Sequence, residues 1–598
     1  MTAPNRNALW GRTIVDELAA GGLEAVCIAP GSRSTPLTVA FAAHPAVDVF
    51  SHLDERSGAY FALGRARRTG RPTALVCTSG TAAANFHPAV IEADRGRVPL
   101  VVLTADRPPE LRDSGANQTV DQRDLYGDAV RWNVDLPEPR IDERTLRSLR
   151  TTAARALATA TGTPAGPVHL NCPFAKPLEP TAVPGDVPAD FEETLAGRGR
   201  DGPFVTTAIG RPGVEEATAE RVADALEGAR RPLFVGGPAD PEEVATGERE
   251  WRRILAELAE AIGAPLLADP LSGFRFGTPA DSATICAGYD AYVGDPVPDP
   301  DVVVRFGASP TSKALRHYLR DADATQFVVD PSGGWREAEF TATDLVVSDP
   351  AALVGSVADA IVPAEARASV DDAWIDRYRE AESIVDEVVA DATTPDALAD
   401  DPFEGGVLAT VFAEAADPAT VFVSNSMPIR DADRFVRPRT ADVTALGNRG
   451  ASGIDGIVSS ALGAGSAVDD ALTLVTGDLA LYHDANGLLA VERCDVDATI
   501  VAIHNDGGGI FHQLPVESFD PPFTDQFKTP HGLDFAPLAD LYEFEYETVA
   551  PEAFPDAYAS SVAASGTTIL AVEFDAADSH RRRAELEENV RRRLGADP

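Results

Sequence analysis

Two oxygen-bearing side chains stand where apolar runs stop. Asp478 ends "LTLVTGD" and Asn505 ends "TIVAIHN", followed at once by Asp506 and three glycines. The 27 positions that separate them accommodate one helix and two turns, so the pair is expected at the carboxyl ends of neighbouring parallel strands. Such strands lie ~4.8 Å apart, which lets one small cation be gripped from both. An Asp carboxylate, an Asn amide oxygen and a main-chain carbonyl of the glycine turn, that of Gly507, make a hard oxygen set suited to Mg²⁺. Diphosphate oxygens and water would complete its octahedron. Glycines let a backbone approach such a ligand closely. Asp and Asn at strand ends also cap loops with no ligand present, and either residue alone decides nothing.

Cations show a similar placement. Arg33 in "PGSRSTP", Arg107 in "ADRPPE", Arg430 in "SMPIRD" and Arg449 in "GNRGAS" each follow an apolar run. One loop arginine is usually a solvated charge, whereas four at strand ends suggest bidentate recognition of carboxylates. Glu55, in "SHLDERSG", follows a strand-like run and opens a helix-like one, a position that suits any acidic residue.

The elements that must carry these residues read as βαβ units. "AVCIA", "VDVFSHL", "TALVCT", "PLVVLTA" and "GPVHLN" alternate with helix-like stretches, which predicts a parallel sheet covered on both faces. A second block runs from "RRPLFVGG" to "DLVVSDP", and a third holds "ATVFVSNS", "DVTALGNRG", "ALTLVTGD", "ATIVAIHN" and "TTILAVEF". The stretches ending near 205 and spanning about 363–403 are rich in Pro and acidic residues and read as linkers. "LALYHDANGLLAVERC" reads as a crossover helix, and no internal repeat is strong enough to align. The expected fold is α/β, with three doubly wound parallel-sheet domains at 1–182, 205–362 and 403–598.

"GD" followed at this distance by Asn and a glycine turn resembles the diphosphate motif of thiamine diphosphate enzymes. Leu479 stands where the third residue of the motif is usually glycine, as in one branch, the 2-succinyl-5-enolpyruvyl-6-hydroxy-3-cyclohexene-1-carboxylate synthases of menaquinone biosynthesis. "APGSRSTPL", "HLDERSGAYFALG", "CTSGTAAAN", "TADRPPELRDSGANQT", "SNSMPIRDAD" and "NRGASGIDGIVSSALG" are similar to that branch and occur in its order. The resemblance implies a pyrimidine-binding, a central Rossmann-like and a diphosphate-binding domain. It implies thiamine diphosphate and Mg²⁺, with Mn²⁺ as the alternative, held by Gly477, Asp478, Leu479, Asn505 and Gly507. Glu55 would be the catalytic carboxylate against N1′ of the aminopyrimidine, and Ile454 the apolar prop under the bent cofactor; a plain core isoleucine reads the same way.

The implied reaction is decarboxylation of 2-oxoglutarate and 1,4-addition of the succinyl unit to isochorismate. Ser426 and Arg430, with Arg449, would hold the oxoglutarate-derived group. Ser32, Arg33, Arg107, Asn117, Gln118 and Lys313 would hold isochorismate, and Ile510, Phe511 and Leu514 would wall the reacting carbons. In such enzymes Glu55 and the metal motif belong to different subunits, so the resemblance implies a homodimer or homotetramer. Two positions depart from the pattern: Ala314 stands where an arginine is expected after Lys313, and His504 where an asparagine is expected. Other 2-oxo acid decarboxylases and acetolactate-type ligases share the Glu and the metal motif but lack the joint arginine-bearing segments. A dinucleotide oxidoreductase is poorly matched, because "GAGSAV" has only two glycines of the fingerprint. A binding protein that had lost catalysis would be expected to lack Glu55 or Asp478, and both are present.

Composition bounds the setting. The 598 residues carry a formal net charge of -43, and Lys176, Lys313 and Lys528 are the only lysines. So acidic a surface repels nucleic acid and anionic membranes, and neither is expected as a partner. The N-terminal stretch has no apolar core of signal-peptide type, and the odd count of five cysteines argues against a disulfide framework, so a cytoplasmic location is expected. Self-repulsion on this scale destabilises a compact chain in dilute salt, and molar salt shortens the screening length to ~3 Å. A salt-loving source is the hypothesis that follows. Thermal melts from low salt to molar KCl are expected to show a steep rise in Tm; a salt-independent melting point would remove it.

Overall fold

The structure, a computed structural model, describes residues 3–245, 249–294 and 296–595. Runs of Val, Leu, Ile and Ala too apolar for water on either side become inner strands buried on both faces, joined by edge strands several of which are partly exposed. They assemble three six-stranded parallel sheets. The first holds β1 (Ala25–Ile28), β2 (Asp48–Ser51), β3 (Thr73–Cys77), β4 (Leu100–Asp106), β5 (Trp132–Asp135) and β6 (Pro167–Pro173), in the order β2-β1-β3-β4-β6-β5. The second holds β7 (Pro232–Gly236), β8 (Leu266–Ala268), β9 (Ile285–Cys286), β10 (Val302–Phe306), β11 (Thr325–Val329) and β12 (Asp344–Val346), in the order β12-β11-β10-β7-β8-β9. The third holds β13 (Ala419–Val423), β14 (Val443–Leu446), β15 (Ala471–Gly477), β16 (Thr499–His504), β17 (Glu545–Val549) and β18 (Thr568–Glu573), in the order β14-β13-β15-β16-β18-β17. The middle sheet thus has the Rossmann order, while the first and third share one order, a repeat that the sequence conceals.

The chain forms two compact units. One comprises Met1–Gly210, Asn448–Val468 and Asp484–Val496; the other comprises Arg211–Gly447, Asp469–His483 and Asp497–Pro598. In the first unit the helix Ile457–Gly465 lies tight against the helix Glu55–Thr69. A Cβ on Gly64 would stand 1.8 Å from the Ser460 carbonyl oxygen, and one on Gly463 would stand 2.0 Å from that of Phe61. The stretch ending near 205 is docked as well as linking. Phe191 and Ala196 are buried, and the Arg150 guanidinium pairs with Glu17 at 2.6 Å while donating to the carbonyls of Ala196 and Gly197.

In the second unit the acidic stretch 363–403 contains the 19-residue helix Trp374–Ala392. It buries Trp374, Tyr378, Ala381, Val385 and Val388, a helical stripe that outweighs its acidic composition. At the carboxyl edge of the middle sheet Arg336 pairs with Asp240 and Asp330, and Arg252 with Glu243, so ion pairs crowd the edge where such a sheet takes ligands.

The expected crossover helix after Asp478 is broken into Asp478–His483, a 3-10 turn at Ala485–Leu489 and Ala490–Arg493. Asp484 turns inward at the break, where it accepts from the Ser459 N–H at 2.7 Å and from its hydroxyl at 3.0 Å. That buried cap holds the start of the helix Ile457–Gly465, and it interrupts the helix that the residue pattern favours.

The close helix pair yields a test. Gly64→Ala is expected to lower unfolding free energy by about 1–3 kcal/mol, as overpacking does. Urea unfolding in molar KCl measures it, and a change below about 0.5 kcal/mol would contradict the packing described.

Candidate functional site

β15 and β16 pair in parallel with Gly477 opposite Ile503, so the residues after each strand emerge side by side at one carboxyl edge. Asp478 is buried, and its Oδ2 accepts the N–H groups of Asn505 and Gly507, both at 3.1 Å. Its Oδ1 accepts the N–H of half-buried Leu479 at 2.7 Å. Asn505 donates its Nδ2 to Glu404 at 2.7 Å, which leaves its Oδ1 buried without a hydrogen-bond partner. A buried amide oxygen without a donor, beside a buried carboxylate, suits a hard divalent cation. Among the described residues no cluster of three or more His, Cys, Asp or Glu could hold a metal, so amide and carbonyl oxygens must contribute to any such centre. The Gly507 carbonyl accepts from the Gly509 N–H at 3.0 Å and retains a second lone pair.

The glycines have a further reason. A Cβ on Gly507, where φ is 136°, would stand 2.0 Å from the Lys528 carbonyl oxygen; one on Gly508 would stand 2.6 Å from that of Phe527. The returning segment therefore needs side-chain-free backbone here, in addition to any ligand. His531, on that segment, was not found from the sequence. Its Nδ1 accepts the Leu533 N–H at 3.0 Å, so Nε2 carries the proton and donates to Asp478 Oδ2 at 3.2 Å. Asp506 accepts the N–H groups of Gly532 and His531, which hold its carboxyl below the usual range. His504 hydrogen-bonds locally: Nε2 donates to the Leu533 carbonyl at 3.0 Å and Nδ1 accepts from the Asp506 N–H.

β13 of the same sheet ends at Val423, and Ser426 adopts a left-handed φ of 72° at the start of the helix Met427–Phe435. Strain at a non-glycine residue persists where surrounding contacts impose it. Arg430 donates to the Ser426 carbonyl at 2.6 Å, which brings these two residues together as the sequence suggests. Gln513 reaches Met427 Sδ at 3.3 Å, so the segment bearing half-buried Ile510 and Phe511 lies alongside; Leu514 is exposed. Lys313 is exposed at the first turn of the helix Lys313–Asp321, behind the Ser312 cap. Ala314 packs against an apolar cluster that includes Leu315 and Tyr318, and in that place the chain carries no second cation.

The other compact unit holds Glu55, the first arginine pair and Ile454. Glu55 opens the helix Glu55–Thr69, half-buried, while Asp54 caps it by accepting from Arg56 and Ser57 N–H groups and from Asn486 Nδ2 at 3.2 Å. Asp54 is thereby committed elsewhere, and Glu55 stands just beyond the carboxyl end of β2. Arg33 is buried and donates to the Phe174 carbonyl at 2.6 Å. Burial first, then the neighbouring Arg107 charge, pulls its guanidinium below the ordinary arginine range. Nε of Arg33 and Nε of Arg107 are both buried without partners. Two adjacent guanidinium groups with donors to spare suit an anion with several carboxylate oxygens. Arg107 also donates to the Asn117 carbonyl at 3.0 Å, and the Asn117 side chain is exposed. Gln118 gives its Nε2 to the Ser79 carbonyl at 2.9 Å, a bond that competes with any ligand; Ser32 is exposed.

Glu92, buried and also missed in the sequence, fixes the loop of Arg449 and Ile454. It accepts the N–H groups of Gly450 at 2.7 Å, Ala451 at 2.6 Å and Ser452 at 3.1 Å, and pairs with Arg67 at 3.2 Å. Tyr60 donates to Asp455 at 2.9 Å at the far end of the same loop.

Comparison with known proteins shows the family to which the chain belongs. Residues 10–125 match the model of the thiamine pyrophosphate enzyme N-terminal TPP binding domain. The chain is 60% identical, over all of both chains, to the 2-succinyl-5-enolpyruvyl-6-hydroxy-3-cyclohexene-1-carboxylate synthase of Haloarcula marismortui. It is 58% identical to that of Halobacterium salinarum over 99% of each, and 47% identical to that of Roseiflexus castenholzii over 96% of this chain and 97% of the relative. Among solved structures, benzoylformate decarboxylase from Polynucleobacter necessarius superposes with a TM-score of 0.70 at 17% identity, covering 95% of this chain and 98% of that one, a likeness of fold. The orphaned amide oxygen beside Asp478, the α/β architecture and this end-to-end identity make the chain a member of the 2-succinyl-5-enolpyruvyl-6-hydroxy-3-cyclohexene-1-carboxylate synthase family of thiamine diphosphate enzymes.

Proposed function

We propose that this enzyme, a transferase, decarboxylates 2-oxoglutarate and adds the succinyl unit in 1,4 fashion to isochorismate. The products are 2-succinyl-5-enolpyruvyl-6-hydroxy-3-cyclohexene-1-carboxylate and CO2, a step of menaquinone biosynthesis. The observation that carries this reading is the unpartnered Asn505 oxygen beside Asp478, in a chain 60% identical to such a synthase from end to end. Bound thiamine diphosphate supplies the nucleophilic carbon and the electron sink.

The protein's part is position, charge and proton control. Asp478, Asn505 and the Gly507 carbonyl would hold Mg²⁺ or Mn²⁺, and Gly477 and Leu479 would line the diphosphate of the cofactor. Glu55 would present its carboxylate to the aminopyrimidine of the cofactor and control a proton there, and Ile454 would give the cofactor apolar support. Ser426, Arg430 and Arg449 orient the oxoglutarate-derived carboxylates. Arg33 and Arg107, whose Nε atoms are unpartnered, clamp isochorismate with Ser32, Asn117, Gln118 and Lys313. Ile510, Phe511 and Leu514 keep water from the reacting carbons. The division at 1–182, 205–362 and 403–598 assigns pyrimidine binding to the first domain and diphosphate binding to the third. The assembly is at least a homodimer, with Glu55 and the metal motif of one site drawn from different subunits. A cytoplasmic location is part of this proposal. Among the described residues no helix is long and apolar enough to cross a membrane.

Purified protein in molar KCl with thiamine diphosphate, Mg²⁺ and both substrates is expected to consume isochorismate and yield the adduct by mass. Glu55→Gln is expected to lower kcat by about 10²–10⁴-fold with little change in Tm. Release of CO2 from 2-oxoglutarate while isochorismate persists would leave the decarboxylation and refute the acceptor.

A further inference from the structure

The amide of Asn505 can turn two ways with nearly the same shape, and only one presents an oxygen to a cation. What selects that orientation is Glu404, the first residue of the helix Glu404–Glu414. Its Oε1 accepts Asn505 Nδ2 at 2.7 Å, and a carboxylate, which only accepts, cannot pair with the flipped amide's oxygen. Glu404 is itself pinned. Arg583, on the helix Ala576–Arg593, donates to its Oε2 and binds Asp431 twice, at 2.7 and 2.6 Å. Glu404, Asp431 and Arg583 are all buried, and Asp431 lies on the helix that starts beyond Ser426. A Cβ on Gly509 would stand 2.6 Å from Asn505 Nδ2, so the nitrogen side of the amide is closed by backbone as well.

We propose that Glu404, braced by Arg583 and Asp431, is a positioning residue that aims the Asn505 oxygen at the divalent cation. The assignment rests on the cation reading given above. Outer partners of this kind typically change metal affinity by about 10–100-fold when replaced. A gap of 101 residues separates Glu404 from the side chain it orients, and no motif joins them.

Mn²⁺ binding, read by electron paramagnetic resonance with thiamine diphosphate in molar KCl, tests it without turnover. Glu404→Gln offers a donor to the amide oxygen, so the flipped form becomes available and affinity is expected to fall about 10–100-fold. Asn505→Asp, which leaves Glu404 untouched, is also expected to weaken binding despite its added negative charge, because two carboxylates then face one another. Combined, the two changes should recover most of the affinity, since the introduced glutamine amide donates to one oxygen of the new carboxylate and the other oxygen faces the cation. Asn505→Asp binding as tightly as the parent, or a double variant no better than Glu404→Gln, overturns the proposal. A parent protein that binds no Mn²⁺ overturns the cation site itself, and that failure is distinct because no variant is involved.

Discussion

The buried carboxylate of Asp478 is the constraint around which the third sheet's edge is arranged. Its Oδ2 takes the N–H groups of Asn505 and Gly507 and the ring proton of His531, so three chain segments converge on one oxygen. Burying an ionised carboxylate is costly unless donors or a cation meet it. The nearest basic side chains among the described residues are His504 and His531, each with an Nδ1 that accepts an N–H. The hydrogen bonds therefore shape the loop, and a buried carboxylate so placed suits a divalent cation. Asn505, whose Nδ2 is held by Glu404, leaves a neutral buried oxygen beside it, where a second carboxylate would have to be desolvated.

Arginine serves two purposes in a chain with so few lysines. Arg150, Arg275 and Arg583 are structural ties. Each is buried and donates to carboxylates, and Arg150 and Arg275 also to main-chain carbonyls, as Arg275 does with Asp433 and with the carbonyls of Ala432 and Val436. Arg33 and Arg107 differ, because each keeps a buried Nε with no acceptor. Planar guanidinium groups that retain donors at a sheet's carboxyl edge are suited to carboxylate ligands, and those with every donor used are suited to holding helices. The general acidity of the surface leaves this local contrast intact, since a buried pair is screened little by salt.

Close backbone approach recurs in both units. Gly64 and Gly463 let two helices pack at backbone distance, and Gly507 admits the Lys528 carbonyl. In the first case the helix Glu55–Thr69 is set in place with its first residue at the sheet edge. In the second the segment carrying His531 is brought over Asp478.

What the sequence by itself determined is local. Apolar runs ending in polar turns mark strands, a gap of 27 residues puts Asp478 beside Asn505, and Asp54 and Glu55 mark a helix start, because pairing and capping act over short stretches of chain. The arginines at strand ends were legible for the same reason. Their positions did not say which keep donors free, and the stretches 363–403 and near 205 read as linkers because composition hides a buried stripe. Only the tertiary structure decided that the first and third sheets share an order, that Glu92 straps Gly450–Ser452 across 358 positions, and that Glu404 aims an amide 101 positions away. Contacts between such distant residues leave no period or spacing in the chain, and the direction of an amide is set by its partner, which only folding supplies.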